Sequence, residues 1–203
     1  MADFTKTKGQ LIDWTLLDDT GSDIPSVETG ALALDEEIGA KLMIVVAHAD
    51  TNDPASALVY ISVQVKVGAN DEDWRQYCPL TAGGVQATLE AIAAQSASGQ
   101  THIEVADTTD WDTGQLERLF LMDATKINSE LVTIVGWVDN DYYLAADNLT
   151  ITHAIATALF DEVDEIPVFI PKEYDAVKVI FGNSHGTATY YVKVDYNLVT
   201  EIV

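Results

Sequence analysis

With a single cysteine, Cys78, in 203 residues, the chain can form no internal disulfide and no cysteine-rich zinc site. Cys78 stands between Tyr77 and Pro79 at the end of an apolar stretch, with no adjacent cation and no helix start. It therefore reads as a buried spacer and not as a reactive thiol. Long apolar runs are missing too. No stretch of about 18 uninterrupted apolar residues occurs, so no helix would span a bilayer, and Met-Ala-Asp-Phe-Thr-Lys at the start lacks the apolar core of a secretory signal. Synthesis in a cytoplasm is the corresponding expectation. Positive charge is the scarcest commodity: ten Lys and Arg face 33 Asp and Glu, a formal net charge of −23. Such a surface repels phosphate, so no nucleic acid and no membrane is expected as a partner. The charge serves solubility, or packing at high local concentration, or docking on a basic partner.

Chemistry-bearing motifs are also lacking. No Gly-x-Ser-x-Gly, Walker loop, Rossmann glycine pattern or His-Glu-x-x-His occurs. The four histidines, His48, His102, His153 and His185, are far apart, and none has a ligating partner three or four residues away. Acidic clusters are the one constellation to weigh: Asp18, Asp19 and Asp23; Asp50 and Asp53 with Asn52; Asp71 to Asp73; Asp107, Asp110 and Asp112; and Asp161 to Glu165. Calcium needs converging oxygens, but none of these matches the twelve-residue calcium loop, so solvated turns are the expectation. A glycosidase would need two facing carboxylates, and nothing singles out a pair. Trp14, Trp74, Trp111 and Trp137 stand in separate elements, as core or interface anchors would. The expectation is no catalytic residue, no cofactor and no metal.

What the chain does contain is strand texture. Val59, Ile61, Val63, Val65 and Val67 alternate with Tyr60, Ser62, Gln64 and Lys66, the period of a strand with one buried face. Lys41 to Ala47 is nearly continuous apolar sequence, as in a strand covered on both sides. Asp50 to Ser56, rich in turn formers, links the two as a hairpin or a sandwich crossover. Near the end, Ala176 to Phe181 and Thr187 to Tyr196 flank Gly182-Asn-Ser-His-Gly186, whose composition suits a tight hairpin. Between the halves, Val85 to Ala94 has the spacing of a short helix or an irregular apolar stretch, and a compact β unit follows from Thr101 to Phe160. Asp3 to Thr29 reads either as an arm ordered against a neighbouring copy or as a first strand.

The fold class expected is all-β: a discontinuous β-sandwich, jelly-roll or Ig-like, formed by residues 1–82 and 166–203. A small β-barrel-like unit is inserted at 83–165. Such an insertion is cheap because loop-closure cost grows logarithmically with length. Three consecutive pieces of one long meander are the alternative.

The segment Thr101 to Phe160 resembles a small β unit of tailed-bacteriophage virion structural proteins. It contains Thr101-His-Ile-Glu-Val105, Asp110 to Gly114, Leu119 to Met122, Ser129-Glu-Leu-Val-Thr-Ile-Val135, Tyr142 to Leu144 and Thr152-His-Ala154. The resemblance implies a non-enzymatic component of the virion: a capsid decoration or cement protein first, a head–tail or tail accessory second. The partners implied are the major capsid protein or other virion proteins, with the chain a homo-oligomer, trimer or dimer. The competing expectation is a tail or baseplate accessory that binds a host-surface glycan or receptor.

Overall fold

In a computed structural model, residues 3–17, 26–34, 39–48, 58–68, 70, 73–83, 89–105, 117–122, 129–138, 142–154, 157–160, 163–183 and 189–202 are described. They form fifteen β-strands and no α-helix, an all-β sandwich-type fold. The chain divides into two compact units: Met1–Val46, Ser56–Gly84 and Asp164–Val203 form the first, and Ala47–Ala55 with Val85–Val163 the second.

The first unit is a sandwich. One sheet runs β1 (Asp3–Leu17), β15 (Tyr190–Ile202), β4 (Gly39–His48), β13 (Val163–Pro171). The other runs β2 (Ser26–Glu28), β14 (Ala176–Asn183), β5 (Leu58–Lys66), β6 (Trp74–Gly83), with β3 (Leu32–Ala33) also on β14. The period-two alternation explains the pairing. Val59, Ile61, Val63 and Val65 of β5 and Val177, Val179 and Phe181 of β14 point inward. There they form one buried core with Leu42, Ile44 and Val46 of β4 and Tyr190, Val192 and Val194 of β15. Burying such faces against each other is the main stabilising term. Residues Ile44 to Ala47 of β4 are buried on both faces, in keeping with their unbroken apolar run.

One local expectation fails in this unit. Β14 and β15 do not form a hairpin. They belong to different sheets; residues 184–188 between them lie outside the described residues. Strands β4 and β5 lie in different sheets, which fits the sandwich crossover, one of the two readings of Asp50 to Ser56; residues 49–57 lie outside the described residues.

The N-terminal segment is no free arm. Β1 pairs antiparallel with β15 from Asp3↔Ile202 to Leu17↔Tyr190, and Trp14 and Leu17 are buried. Its register shifts after Gln10 and after Ile12 are irregularities of the kind a bulge produces, and Asp13 accepts from the Trp14 N–H at 2.8 Å there. Gly9 lies opposite Tyr196, whose ring covers it so closely that a side chain at residue 9 would collide with the phenol. The aromatic ring thus fills what a glycine leaves open in a strand.

The second unit is a small barrel. Its sheet runs β7 (Leu89–Ala91), β12 (Ala158–Phe160), β9 (Glu117–Met122), β10 (Glu130–Val138), β11 (Tyr142–Ala145), β8 (His102–Glu104). The two end strands meet: Ile92 bridges Val105, and the Ala93 N–H donates to the Glu104 carbonyl at 2.8 Å. Closure removes the open edges. Ile103, Leu119, Leu121, Val132, Ile134, Tyr143 and Leu159 fill the interior. Leu89–Ala91 is a strand, against the helical spacing of Val85 to Ala94, because pairing with β12 overrides local preference; residues 85–88 lie outside the described residues.

Since β1 is a core strand, Leu17→Ala should destabilise the sandwich by about 2–5 kcal/mol, the cost of emptying a buried leucine site. Chemical denaturation of the wild-type and variant chains measures it. A change below about 0.5 kcal/mol, the range of surface substitutions, would mean that β1 is dispensable.

Candidate functional site

Two places bring side chains together in ways that bear on function. The first is in the barrel. Glu130 opens β10, and both its oxygens are engaged: Oε1 lies 2.7 Å from His153 Nε2, while Oε2 accepts from the Thr150 N–H at 3.1 Å and the Thr150 hydroxyl at 2.5 Å. His153 is fully buried, and its own backbone bridges Ser96 through bonds of 2.9 and 3.1 Å. Burial pushes the Glu130 carboxyl up. Hydrogen bonds from His153 and from the Thr150 side chain and backbone, with the electrostatic pull of His153, outweigh it and hold the group below its ordinary value. Arg118 bonds the Thr133 hydroxyl beside a recess of about 200 Å3 lined by Glu130, Asp147, Asn148 and Thr150. A carboxylate with both oxygens held in this way is a structural clamp, not a poised base.

The second place is the outer face of the β2-β14-β5-β6 sheet. Side chains that point away from the core stand in rows set by strand register. Ser26, Gly182, Tyr60 and Thr81 form one row; Glu28, Ile180, Ser62 and Pro79 form the next. Gly182 and Ser62 are small, and a groove of about 650 Å3 lies over them. Tyr60 is 54% exposed at its wall. Farther along the face, Gln64 pairs with Gln76, and Trp74 lies under two ammonium groups, Lys178 at 4.6 Å and Lys66 at 5.9 Å from the ring centre. Lys178 also pairs with Glu28 at 2.7 Å.

Among the residues weighed from sequence, His48 and His153 are buried and His102 is exposed on β8. His185, Trp111 and the acidic groups at 18–23, 50–53 and 107–112 lie outside the described residues, as do Asp71, Glu72, Asp161 and Glu162. The acids that are described serve turns and strand ends. Asp73 accepts from the Asn70 N–H at 2.9 Å, and Asp164 from the Gly83 N–H at 3.0 Å. Among the described residues no group of three or more His, Cys, Asp or Glu is placed to hold a metal ion. Trp14 is a core residue; Trp74 is the platform for two lysines. Cys78 is half-buried and packs against the sandwich core. Spacing along the chain concealed the Glu130–His153 pair, 23 residues apart, although both residues stand in the Ser-Glu and His-Ala elements of the phage-like pattern. The signal for the groove was a tyrosine on the polar face of β5.

No protein-family model matches the chain, and no curated protein matches it. Among solved structures, chains from the structures of infectious bursal disease virus Gt strain and Gx strain align with 98% of this chain at 8% and 9% identity. Their TM-scores are 0.28 and 0.26. The chain spans 41% and 42% of the length of those chains. Likeness at this level carries no argument about what the chain does.

The clamp makes a pH-dependent contribution. A carboxyl whose folded pKa is lowered adds stability above its unfolded value and loses it as pH falls through the folded value. The advantage of wild type over Glu130→Gln should therefore be full at neutral pH and shrink on acidification below the ordinary carboxylate range. Denaturation midpoints measured from neutral pH to about pH 3 test this. Glu130→Ala should cost about 1–3 kcal/mol, since buried His153 Nε2 loses its acceptor.

Proposed function

We propose that the chain is a non-enzymatic structural protein of a virion, one that decorates a shell and braces neighbouring subunits as a cement protein does. The observation that carries this reading is Phe169. It is 60% exposed on β13, the end strand of its sheet, in a chain of net charge −23. Its ring rests beside Gly39, where an added Cβ would come within 2.7 Å of the Ile170 carbonyl oxygen. Nearby, the Tyr77 hydroxyl donates to the Phe169 carbonyl at 3.2 Å, and Tyr77 meets Tyr174 edge to face at 5.5 Å. An exposed aromatic ring on a backbone tied to its neighbours in this way suits an anchor in an interface between subunits. The clamped state of Glu130 supports the non-enzymatic side of the reading: its displaced pKa is spent on holding the barrel.

The partners in this reading are the major capsid protein or other virion proteins, the chain acts as a homo-oligomer, trimer or dimer, and its location is the virion. Contact is through side chains, because β13 carries Pro167 and Pro171, which have no N–H to offer an added strand.

Phe169→Asp should weaken binding to particles at least about tenfold, the loss of one interface anchor, while the melting temperature of the isolated chain stays unchanged. Particles lacking the protein should open at lower temperature or at higher ionic strength than complete ones. If they survive equally well but fail to adsorb to host cells, bracing is the wrong role.

A further inference from the structure

We propose that the groove on the outer face of the β2-β14-β5-β6 sheet binds a neutral saccharide, with Tyr60 as stacking platform and Ser62, Gln76 and Thr81 as hydrogen-bonding groups. This site does not depend on the bracing role. Its volume, about 650 Å3, falls in the range of ligand-binding clefts.

Three observations select the ligand class. First, among the described residues no ionised side chain lines the groove, although the chain carries 33 acidic residues; Glu28, beside Ile180, is paired with Lys178. The lysines on the same face are engaged elsewhere, over Trp74 and on Glu28. Among the described lining residues an anion finds no cation and a cation no carboxylate, so the ligand these residues fit is uncharged. Second, the lining combines an exposed aromatic ring and Ile180 with the hydroxyls of Ser26, Ser62 and Thr81 and a primary amide. A sugar ring presents the same pair of surfaces, an apolar C–H face and a rim of hydroxyls that both donate and accept. The Gln76 amide and the Ser62 and Thr81 hydroxyls match that rim because each also donates and accepts. Third, the groove lies on a sheet face whose strands are bonded to one another on both sides of β5 and β14. An extended peptide added as a strand pairs at a sheet edge; the edges here are β2 and β6, whose backbone groups point along the plane of the sheet and not over the groove. Gly182 and Ser62 complete the argument, since their small side chains leave the depression in which a ring can sit.

The full chain should be titrated with neutral oligosaccharides built from hexoses, deoxyhexoses and N-acetylhexosamines, and in parallel with sialylated and sulfated ones, by calorimetry or by NMR shifts. The expected result is binding of at least one neutral oligosaccharide with a Kd of about 1 mM or tighter. Tyr60→Ala and Gln76→Ala should each weaken it about tenfold or more without changing the melting temperature. Phe169→Asp should bind the saccharide as wild type does, which separates failure of this site from failure of the bracing role. Absence of binding to every neutral probe, a preference for the anionic probes, or binding unaltered by Tyr60→Ala and Gln76→Ala would each overturn the proposal.

Discussion

The antiparallel ladder between β5 and β14 is the constraint on which the sandwich depends. Eight consecutive pairs, from Ala176↔Lys66 to Asn183↔Val59, join segments more than a hundred positions apart, and the β1–β15 ladder does the same for Asp3 and Ile202. Neither sheet is built from neighbours in sequence alone. The cost of closing such long loops rises only logarithmically, so the arrangement is affordable at equilibrium. Its penalty falls on rate, because non-local pairings must find each other before any of them is rewarded. The inward faces of these ladders supply that reward: Val59, Ile61, Val63 and Val65 against Val177, Val179 and Phe181, all fully or almost fully buried. Buried Asn183 adds a polar tie between the layers, its amide donating to the Leu17 carbonyl at 3.4 Å.

This non-local design explains what the sequence reveals and what it hides. Alternation in Val59 to Val67 and in Tyr190 to Tyr196 marks strands and their inner faces without ambiguity, because period two is a local property. The partner of a strand is not local. Gly182 to Gly186 has the composition of a turn, yet composition cannot say whether the chain turns within a sheet or between sheets. Both β14 and β15 present apolar inner faces, so either answer fits the pattern, and the core decides. The first half of β1 is polar, with Lys6, Thr7, Lys8 and Gln10, because an end strand needs little apolar surface; that polarity mimics an unstructured arm. Leu89 to Ala91 carry good helix formers, but three residues paired to β12 outweigh so weak a preference.

The same reasoning applies to the sites. Rules of three- and four-residue spacing detect partners on helices, and this barrel has none among its described residues. Glu130 and His153 are brought together because the segment after β11 runs back beside β10, where the Ala146 N–H donates to the Thr133 carbonyl, and is tied to residues 96–100 by bonds such as Gly99 N–H to the Leu149 carbonyl and His153 N–H to the Ser96 carbonyl. The groove is assembled from positions 26, 60, 81 and 182, four strands standing side by side in one row. No window of sequence contains it. Only the polar alternation of β5, with a tyrosine at its head, was visible beforehand.

Charge then distinguishes the surfaces. With acids outnumbering bases by 33 to ten, a randomly chosen patch of this molecule is negative. On the outer face of the β5 sheet Lys66 and Lys178 lie over the Trp74 ring, where attraction to the aromatic face offsets part of their lost hydration. Lys178 is further neutralised by Glu28. The cations therefore stay beside the groove without charging it, and the groove's own hydroxyl and amide groups set its polarity. Phe169 shows the opposite solution on β13, an aromatic left exposed with no polar partner group of its own and flanked by prolines that block strand addition. In the roles proposed above, Phe169 and the groove would both make contact through side chains and neither through an added strand.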